Sequence, residues 1–202
     1  MYMSWFLRGI KKGVKTERFP VGDPEYKPGW STEISGEGPA ECPTGAIDNG
    51  RWIPERCIFC RRCYPNYKPT GNVRIGKIYR TNGMFSKSLH VYTIDVGSCG
   101  GCNQEINALT SPHYDMNRLG IFFVNTPRQA DALVVLGPLS ESMREPLMRA
   151  YQAMPEPKLV VAGCSCAVVN DFPLKFDAVI PGSPPNPYTM LDVLIKLGRN
   201  KK

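Results

Sequence analysis

The stretch from Val91 to Glu105, VYTIDVGSCGGCNQE, constrains this chain more than any other. An apolar run of Val91, Tyr92, Ile94 and Val96 ends in Gly97, and two cysteines follow as Cys99-x-x-Cys102. Val, Ile, Tyr and Thr suit a buried strand. The glycines at 97, 100 and 101 let the backbone turn tightly and approach a bulky group closely. Gln104, Glu105, Ile106, Ala108 and Leu109 continue as a helix whose N-terminus favours a thiolate. A strand, a thiol-bearing turn and a helix in succession make a place to hold a metal cluster. Six further cysteines have to be placed beside these two.

All 8 cysteines of the 202-residue chain lie between Cys42 and Cys166, mostly in C-x-x-C or C-x-C pairs. The length suits one medium domain plus a small one. The sequence shows no apolar run long enough to span a bilayer and no secretory signal, so the thiols read as metal ligands rather than disulfides. The net charge of +7 sits in the first part: 15 Lys/Arg against 8 Asp/Glu up to His90, and 10 against 10 from Val91 onward. Anionic lipid or an acidic protein suits such a segment. No nucleic-acid motif accompanies the charge, and no nucleic acid is expected as a partner.

Residues 1–39 divide in two. Trp5, Phe6, Leu7 and Ile10 share part of one helical face among Arg8, Lys11, Lys12 and Lys15. A basic amphipathic helix of this kind lies on a membrane surface or packs on its own domain, and Gly9 and Gly13 weaken it. Val21 to Pro39, rich in Pro, Gly and charge, reads as an extended arm with little internal structure.

Residues 40–84 contain the second thiol centre. Cys42-Pro43 is followed by Cys57-x-x-Cys60-x-x-Cys63. Two-cluster ferredoxins use C-x-x-C-x-x-C-x-x-x-C-P runs in which the Cys before Pro ligates the other cluster. Here the triad upstream of Cys42 and the Cys-Pro after Cys63 are both absent, where Tyr64-Pro65 stands instead. The paired losses remove one cluster and leave the other complete: a half-ferredoxin module holding one [4Fe-4S] cluster on Cys42, Cys57, Cys60 and Cys63. A structural zinc site from the same thiols is the alternative. Arg56, Arg61 and Arg62 beside the triad would raise a cluster's potential or pair with an acidic electron donor. The rest of this segment, with a strand-like piece near Val73 to Tyr79, reads as the module's remainder and a connector.

From Val91 strands and helices alternate. Ile121 to Asn125, Ala132 to Leu136, Lys158 to Ala162 and Ala178 to Ile180 read as strands, and Ser140 to Met154 as a helix capped by Ser140. The order predicts a small parallel sheet with helices on its faces over residues 85–202. Cys99, Cys102, Cys164, Cys166 and Ser183 all follow strands, so they are expected on one rim, where such sheets bind ligands.

Val91 to about Met190 resembles the 20-kilodalton, cluster-bearing subunit of respiratory complex I and the small subunit of membrane-bound group 4 nickel–iron hydrogenases, such as formate hydrogenlyase. The matching pieces are Asp95-Val96-Gly97-Ser98-Cys99, Cys102 with Glu105, Ser111-Pro112 with Tyr114-Asp115, and Arg118-Leu119-Gly120. Pro127-Arg128-Gln129-Ala130-Asp131, Met154-Pro155-Glu156-Pro157-Lys158 and Pro181-Gly182-x-Pro184-Pro185 complete them. The part from Trp5 through Cys63 resembles the ferredoxin-like subunit of the same complexes, shortened to one cluster. The resemblance implies a flavodoxin-like parallel-sheet domain and a fusion of two neighbouring subunits. Complex I members carry adjacent cysteines where this chain has Cys99-x-x-Cys102, the hydrogenase-type spacing. The family's later cysteine aligns with Cys166, and its last, in a Gly-Cys-Pro-Pro motif, falls at Ser183.

Three readings of this second cluster stand together. Cys164 supplies the fourth ligand beside Cys99, Cys102 and Cys166; or a Ser183 oxygen or water completes it and Cys164 is a core thiol; or the site holds no cluster. The resemblance further implies an oxidoreductase subunit that passes electrons through two [4Fe-4S] clusters. The donor would be a ferredoxin or another iron–sulfur subunit, and the acceptor a metal centre on a hydrogenase-type or complex I-like large subunit. Membrane subunits would couple the reaction to ion pumping, with this chain peripheral on the cytoplasmic side. A quinone or sulfur reductase with the same wiring is an alternative, and a zinc-stabilised docking module is another. Glu105 matches a family glutamate that could relay protons, or it is an ordinary helix-surface carboxylate. Arg128 pairs with Asp131 or bonds near the cluster. His90 and His113 read as surface or interface residues.

Overall fold

The computed structural model describes residues 7, 10–12, 31–168 and 171–198 of the chain. Most of the amphipathic stretch and the first part of the extended arm lie outside the described residues. Leu7 and residues 10–12 are helical, and the Leu7 and Ile10 side chains are exposed.

From residue 31 onward, the described residues form ten short strands and three α-helices in two units with separate cores. In the first, β1 (Ile34–Gly36) pairs antiparallel with β4 (Tyr67–Pro69), Ile34 opposite Pro69 and Gly36 opposite Tyr67. The end of the arm is therefore a strand, held by burial of Ile34 and of Thr32 beside it. A hairpin of β2 (Ile47–Asp48) and β3 (Arg51–Trp52) lies between these strands in sequence. The small core contains Ile34, Ala46, Cys57, Phe59, Tyr67 and Ile75, with Trp52 packed on it. Burying each large side chain stabilises by about 1.5–3 kcal/mol, so an assembly this small leans on its neighbour or on a bound group.

The second unit is a mixed α/β structure on a six-stranded, mostly parallel sheet. Its order is β5-β10-β9-β8-β6-β7. The strands are β5 (Lys77–Ile78), β6 (Leu89–Asp95), β7 (Ile121–Phe123), β8 (Ala132–Leu136), β9 (Leu159–Ala162) and β10 (Ala178–Val179). Every pairing is parallel except β5 with β10. The antiparallel edge comes from the segment that the sequence presents as a connector, because Tyr79 N–H and Arg80 N–H both find the Asp177 carbonyl ahead of β10. Every residue of β8 and β9 is buried, which is why both are continuous apolar runs with no alternation. The chain leaves β6 for β7 on one side and returns to β8 on the other. The switch point therefore lies between β6 and β8, at the carboxyl ends of the strands.

Helix α1 (Gly101–Ala108) follows β6 and packs on α3 (Pro187–Gly198). Helix α2 (Glu141–Ala153) joins β8 to β9. Ser140 stands at its N-cap as the sequence predicts, but its hydroxyl meets Ser142 at 3.3 Å and its backbone N–H is spent on the Val96 carbonyl at 2.8 Å.

The units are joined by more than chain connectivity. Thr189 Oγ1 on α3 donates to the Val73 carbonyl at 2.8 Å, and Ser165 Oγ donates to the Cys57 carbonyl at 2.9 Å. Asp177, 8 % exposed, accepts from the Arg80 guanidinium through both oxygens and from the buried Val160 N–H at 2.8 Å. Replacing it by alanine leaves that N–H without an acceptor, which costs roughly 1–3 kcal/mol. Asp177→Ala should lower the urea midpoint accordingly at unchanged slope; an unaltered midpoint would remove Asp177 from the tie between β5, β9 and β10.

Candidate metal centres

The inner centre is built by register. Asp95 at the end of β6 lies opposite Leu136, and Val135 of β8 lies opposite Ala162 of β9. The loops that follow these strands therefore leave the sheet side by side. The first carries Cys99 and Cys102, the second begins at Gly137, and the third carries Cys164 and Cys166. Gly137 has φ +86°, and a Cβ there would sit 2.4 Å from the Ser98 nitrogen. Only glycine lets the second loop pass that close.

The Cys102, Cys164 and Cys166 sulfurs all lie within 4.8 Å of one another. Cys102 and Cys166 are separated by 3.8 Å, and Cys164 and Cys166 by 2.7 Å. Cys164 is fully buried and accepts from the Gly137 N–H at 3.3 Å. The thiols act as one unit. Hydrogen bonding with Cys102, Cys164 and the Ser183 hydroxyl lowers the Cys166 thiol, and either sulfur of each thiol pair can be the donor. Cys102, bonded to Cys164 and Cys166 and buried, is pushed up. Ser183, at the end of the β10 loop, reaches this rim as the sequence predicts. Cys99 is exposed at the mouth, its sulfur 3.8 Å from where a Gly101 Cβ would stand, and it is not part of the close trio.

The outer centre differs in form. Cys42, Cys57, Cys60 and Cys63 all line one recess of about 340 Å³ that opens to solvent, with Ile34, Trp52 and Phe59 among its walls. Cys57 is buried, Cys60 exposed. Cys42 Sγ accepts from the Ala46 N–H at 3.1 Å. Burial raises the Cys42 thiol, yet the Thr44 hydroxyl and the N–H groups of Thr44, Ala46 and Ile47 bring it below its ordinary value. Burial dominates at Cys57 and Cys63, and both are pushed up. Trp52 Nε1 is buried with no hydrogen-bond partner among the described residues. It lies near enough to the Cys57 sulfur to lower that thiol as a donor. A buried indole N–H facing the thiols suits bound thiolate or sulfide. At both centres the donor set is soft thiolate in apolar walls, which suits iron–sulfur or zinc chemistry.

Other residues fall as follows. Glu105 is half-buried on α1, three residues after Cys102, and makes no hydrogen bond or ion pair among the described residues. Asp131 accepts from the His90 backbone and Nδ1 at 2.8 and 3.0 Å, so it pairs with His90 and not with Arg128. His113 Nε2 meets the Tyr188 hydroxyl at 2.7 Å. Trp52, Gly137 and Ser165 carry no signal that sequence reasoning used, although Ser165 is the central residue of a C-x-C pair.

Residues 99–173 match the family model described as NADH ubiquinone oxidoreductase, 20 Kd subunit. The match includes all four cysteines of the inner centre and none of the outer. An uncharacterized protein of Methanocaldococcus jannaschii is 37% identical over 123 residues, 55% of this chain and 83% of that protein. A probable membrane-bound hydrogenase subunit of Pyrococcus furiosus is 35% identical over 118 residues, 52% of this chain and 71% of that subunit. Formate hydrogenlyase subunit 7 of Escherichia coli is 36% identical over 118 residues, 52% of this chain but only 46% of the bacterial protein.

The loop bearing Cys99 is shaped by Asp95. Its Oδ1 accepts from the Gly97 and Ser98 N–H groups at 2.9 and 2.7 Å, and its Oδ2 from the Ser98 hydroxyl and the Asn103 amide. Partial burial alone would raise this carboxyl, but the donors from Ser98, Gly97 and Asn103 outweigh it and hold it at about 2. A carboxyl held below its unfolded value contributes fully above that value and loses its contribution as pH falls through the folded one. The Gly97 and Ser98 amides of the metal-free chain should therefore stay protected from exchange above pH 3.8 and lose protection as pH approaches 2. Protection that fades well above that window would remove Asp95 from the control of the loop.

Proposed function

Because the chain belongs to the NADH ubiquinone oxidoreductase 20 kDa subunit family, we propose that it is the electron-carrying subunit of a membrane-bound, hydrogenase-type oxidoreductase complex. The observation that carries this reading is the convergence of the Cys102, Cys164 and Cys166 sulfurs at the strand-end rim. The parallel strand order β7-β6-β8-β9-β10 supports a flavodoxin-like sheet with its site at the switch point.

In this reading Cys99, Cys102, Cys164 and Cys166 hold an inner [4Fe-4S] cluster, and Ser183 supports it from beside Cys166. Cys42, Cys57, Cys60 and Cys63 of a half-ferredoxin module hold an outer one. Four sulfurs spread around a recess suit a polyatomic group better than a single ion. When bound, the clusters supply one-electron storage. The chain supplies the thiolates, the apolar walls that limit water, and the N–H donors of Ala46, Gly137 and Trp52 that stabilise added negative charge.

The bond-making chemistry would lie on a large partner subunit with a metal centre that reduces protons or oxidises hydrogen. Membrane subunits would complete the complex, with a ferredoxin or another iron–sulfur subunit as the electron donor. The exposed Arg56, Arg61 and Arg62 around Cys60 suit an acidic donor. Glu105 has the position for a proton relay toward the partner. Among the described residues no helix is long and apolar enough to cross a membrane, and the membrane-bound name of the Pyrococcus relative favours a peripheral place on the cytoplasmic side. The same wiring would serve a quinone or sulfur reductase.

Zinc is the other group the inner thiols suit: the Cys102–Cys166 separation of 3.8 Å matches the edge of a tetrahedron with zinc–sulfur bonds of about 2.3 Å, whereas the 2.7 Å between Cys164 and Cys166 is too short for two ligands of one ion. Metal analysis decides. After anaerobic purification, about eight irons with matching acid-labile sulfide per chain are expected, and EPR of the dithionite-reduced protein should show two interacting clusters. Bound zinc without iron would overturn the electron-transfer reading. Cys164→Ala should halve the iron content while Ser183→Ala retains it; the reverse pattern would make Ser183 the ligand.

Trp52→Phe removes one hydrogen-bond donor at the outer centre. It should lower that potential by roughly 40 mV, the equivalent of about 1 kcal/mol for a one-electron step. An unchanged potential in a redox titration would mean that the indole N–H does not face the bound group.

A further inference from the structure

Ser165 lies between two cysteines in the sequence and between two thiol centres in space. It occupies the middle of Cys164-x-Cys166 and is 8 % exposed. Its hydroxyl donates to the Cys57 carbonyl of the outer centre at 2.9 Å and accepts from the Gly182 N–H at 2.9 Å. Its own N–H donates to the Gly182 carbonyl, also at 2.9 Å. The hydroxyl has a single proton, and that proton is committed to Cys57, so its orientation is defined. Gly182 immediately precedes Ser183, whose hydroxyl reaches Cys166. One buried side chain thus touches the backbone of an outer-centre cysteine, neighbours two inner-centre cysteines, and clamps the loop carrying Ser183.

The surroundings make this contact stand out. The two cores are separate clusters of apolar side chains, and the turn Pro54–Arg56 packs against the turn Ser165–Ala167 where they meet. Other polar ties between the units, Thr189 to Val73 and Lys77 to Glu55, involve no cysteine. Electronic coupling decays less steeply through covalent and hydrogen bonds than across van der Waals gaps. From Cys57 the bonded path runs through its carbonyl to the Ser165 hydroxyl, then along the Ser165 side chain to the peptide bonds of Cys164 and Cys166. It contains one non-covalent link.

We propose that Ser165 is a positioning residue whose hydroxyl forms the hydrogen-bonded bridge for electron passage between the outer and inner centres. The proposal rests on the two-cluster reading above. In the step it serves, one electron leaves a reduced outer centre and enters an oxidised inner one. No covalent bond forms or breaks, and Ser165 keeps its proton. Each centre has one exposed thiol, Cys60 in the outer and Cys99 in the inner, and the outer centre is the entry side because the arginines proposed to meet the donor surround Cys60.

The test uses the full chain, anaerobically reconstituted with iron and sulfide, as wild type, Ser165→Ala and Ser165→Thr. Iron per chain and the dipolar EPR splitting of the fully reduced protein are recorded first, because the splitting reads the distance between centres. A flash-excited deazaflavin photoreductant then supplies a substoichiometric electron, and freeze-quench EPR follows its movement from the outer signal to the inner. Ser165→Ala is expected to keep the iron count and splitting of the wild type while transfer slows by about tenfold or more. Ser165→Thr, which retains the hydroxyl, is expected to restore the rate.

An unchanged rate in a fully loaded alanine variant would overturn the bridge. So would a slowed rate accompanied by an altered splitting, which marks simple displacement of the modules. Should the alanine variant not load, Ser165→Gly takes its place: slowed transfer at unchanged splitting upholds the bridge, and a wild-type rate overturns it. A wild-type chain with only one cluster would instead overturn the two-cluster reading and the bridge with it, and the iron count tells these cases apart. In the metal-free chain, amide exchange at Gly182 is a separate readout: Ser165→Ala should remove its protection, and retained protection would contradict the clamp.

Discussion

Parallel pairing of β6, β8 and β9 is the constraint on which the rest depends. Parallel register sends three consecutive loops out of the same end of the sheet, and the thiols ride on two of them. Neither pair of cysteines could make the inner centre alone, since Cys102 and Cys166 are 64 residues apart and yet 3.8 Å from each other. The middle loop carries no thiol but sets the spacing of the other two. Gly137 lies against the backbone of Ser98 and gives its N–H to Cys164. A side chain at that position would push the loops apart and take the trio with it.

The outer module depends on this frame in turn. Its core is small, and four thiols and two aromatic rings stand in the wall of its recess. What fastens it is a pair of specific polar contacts to the larger unit, Ser165 to Cys57 and Thr189 to Val73. Buried hydrogen bonds of this kind contribute modestly when made and cost more when broken. They therefore define one docking geometry between the modules.

Asp95, itself held ionised by donors on the Cys99 loop, shapes that loop from outside the trio. Within the trio, hydrogen bonding with Cys102, Cys164 and Ser183 lowers the Cys166 thiol. The Ser183 hydroxyl therefore meets the same rim as the three sulfurs, and Cys164 adds a sulfur beside Cys166.

Local patterns in the sequence determined the strands β6, β8 and β9, helix α2, the parallel order and the gathering of Cys102, Cys164, Cys166 and Ser183 on one rim. Each of these follows from apolar runs, turn residues and strand-end position, which are properties of short stretches. The tertiary structure alone decided the rest. It placed the strand-like piece near Val73 to Tyr79 as the antiparallel edge β5, because the Asp177 carbonyl stood ready for the Tyr79 and Arg80 amides. It gave Asp131 to His90 in place of Arg128, and it left Cys99 at the mouth, apart from the close trio. It also joined Ser165 to Cys57 across 108 residues of sequence. Contacts of that range depend on where two separately folded backbones meet, and no local period or spacing in a chain encodes that meeting point.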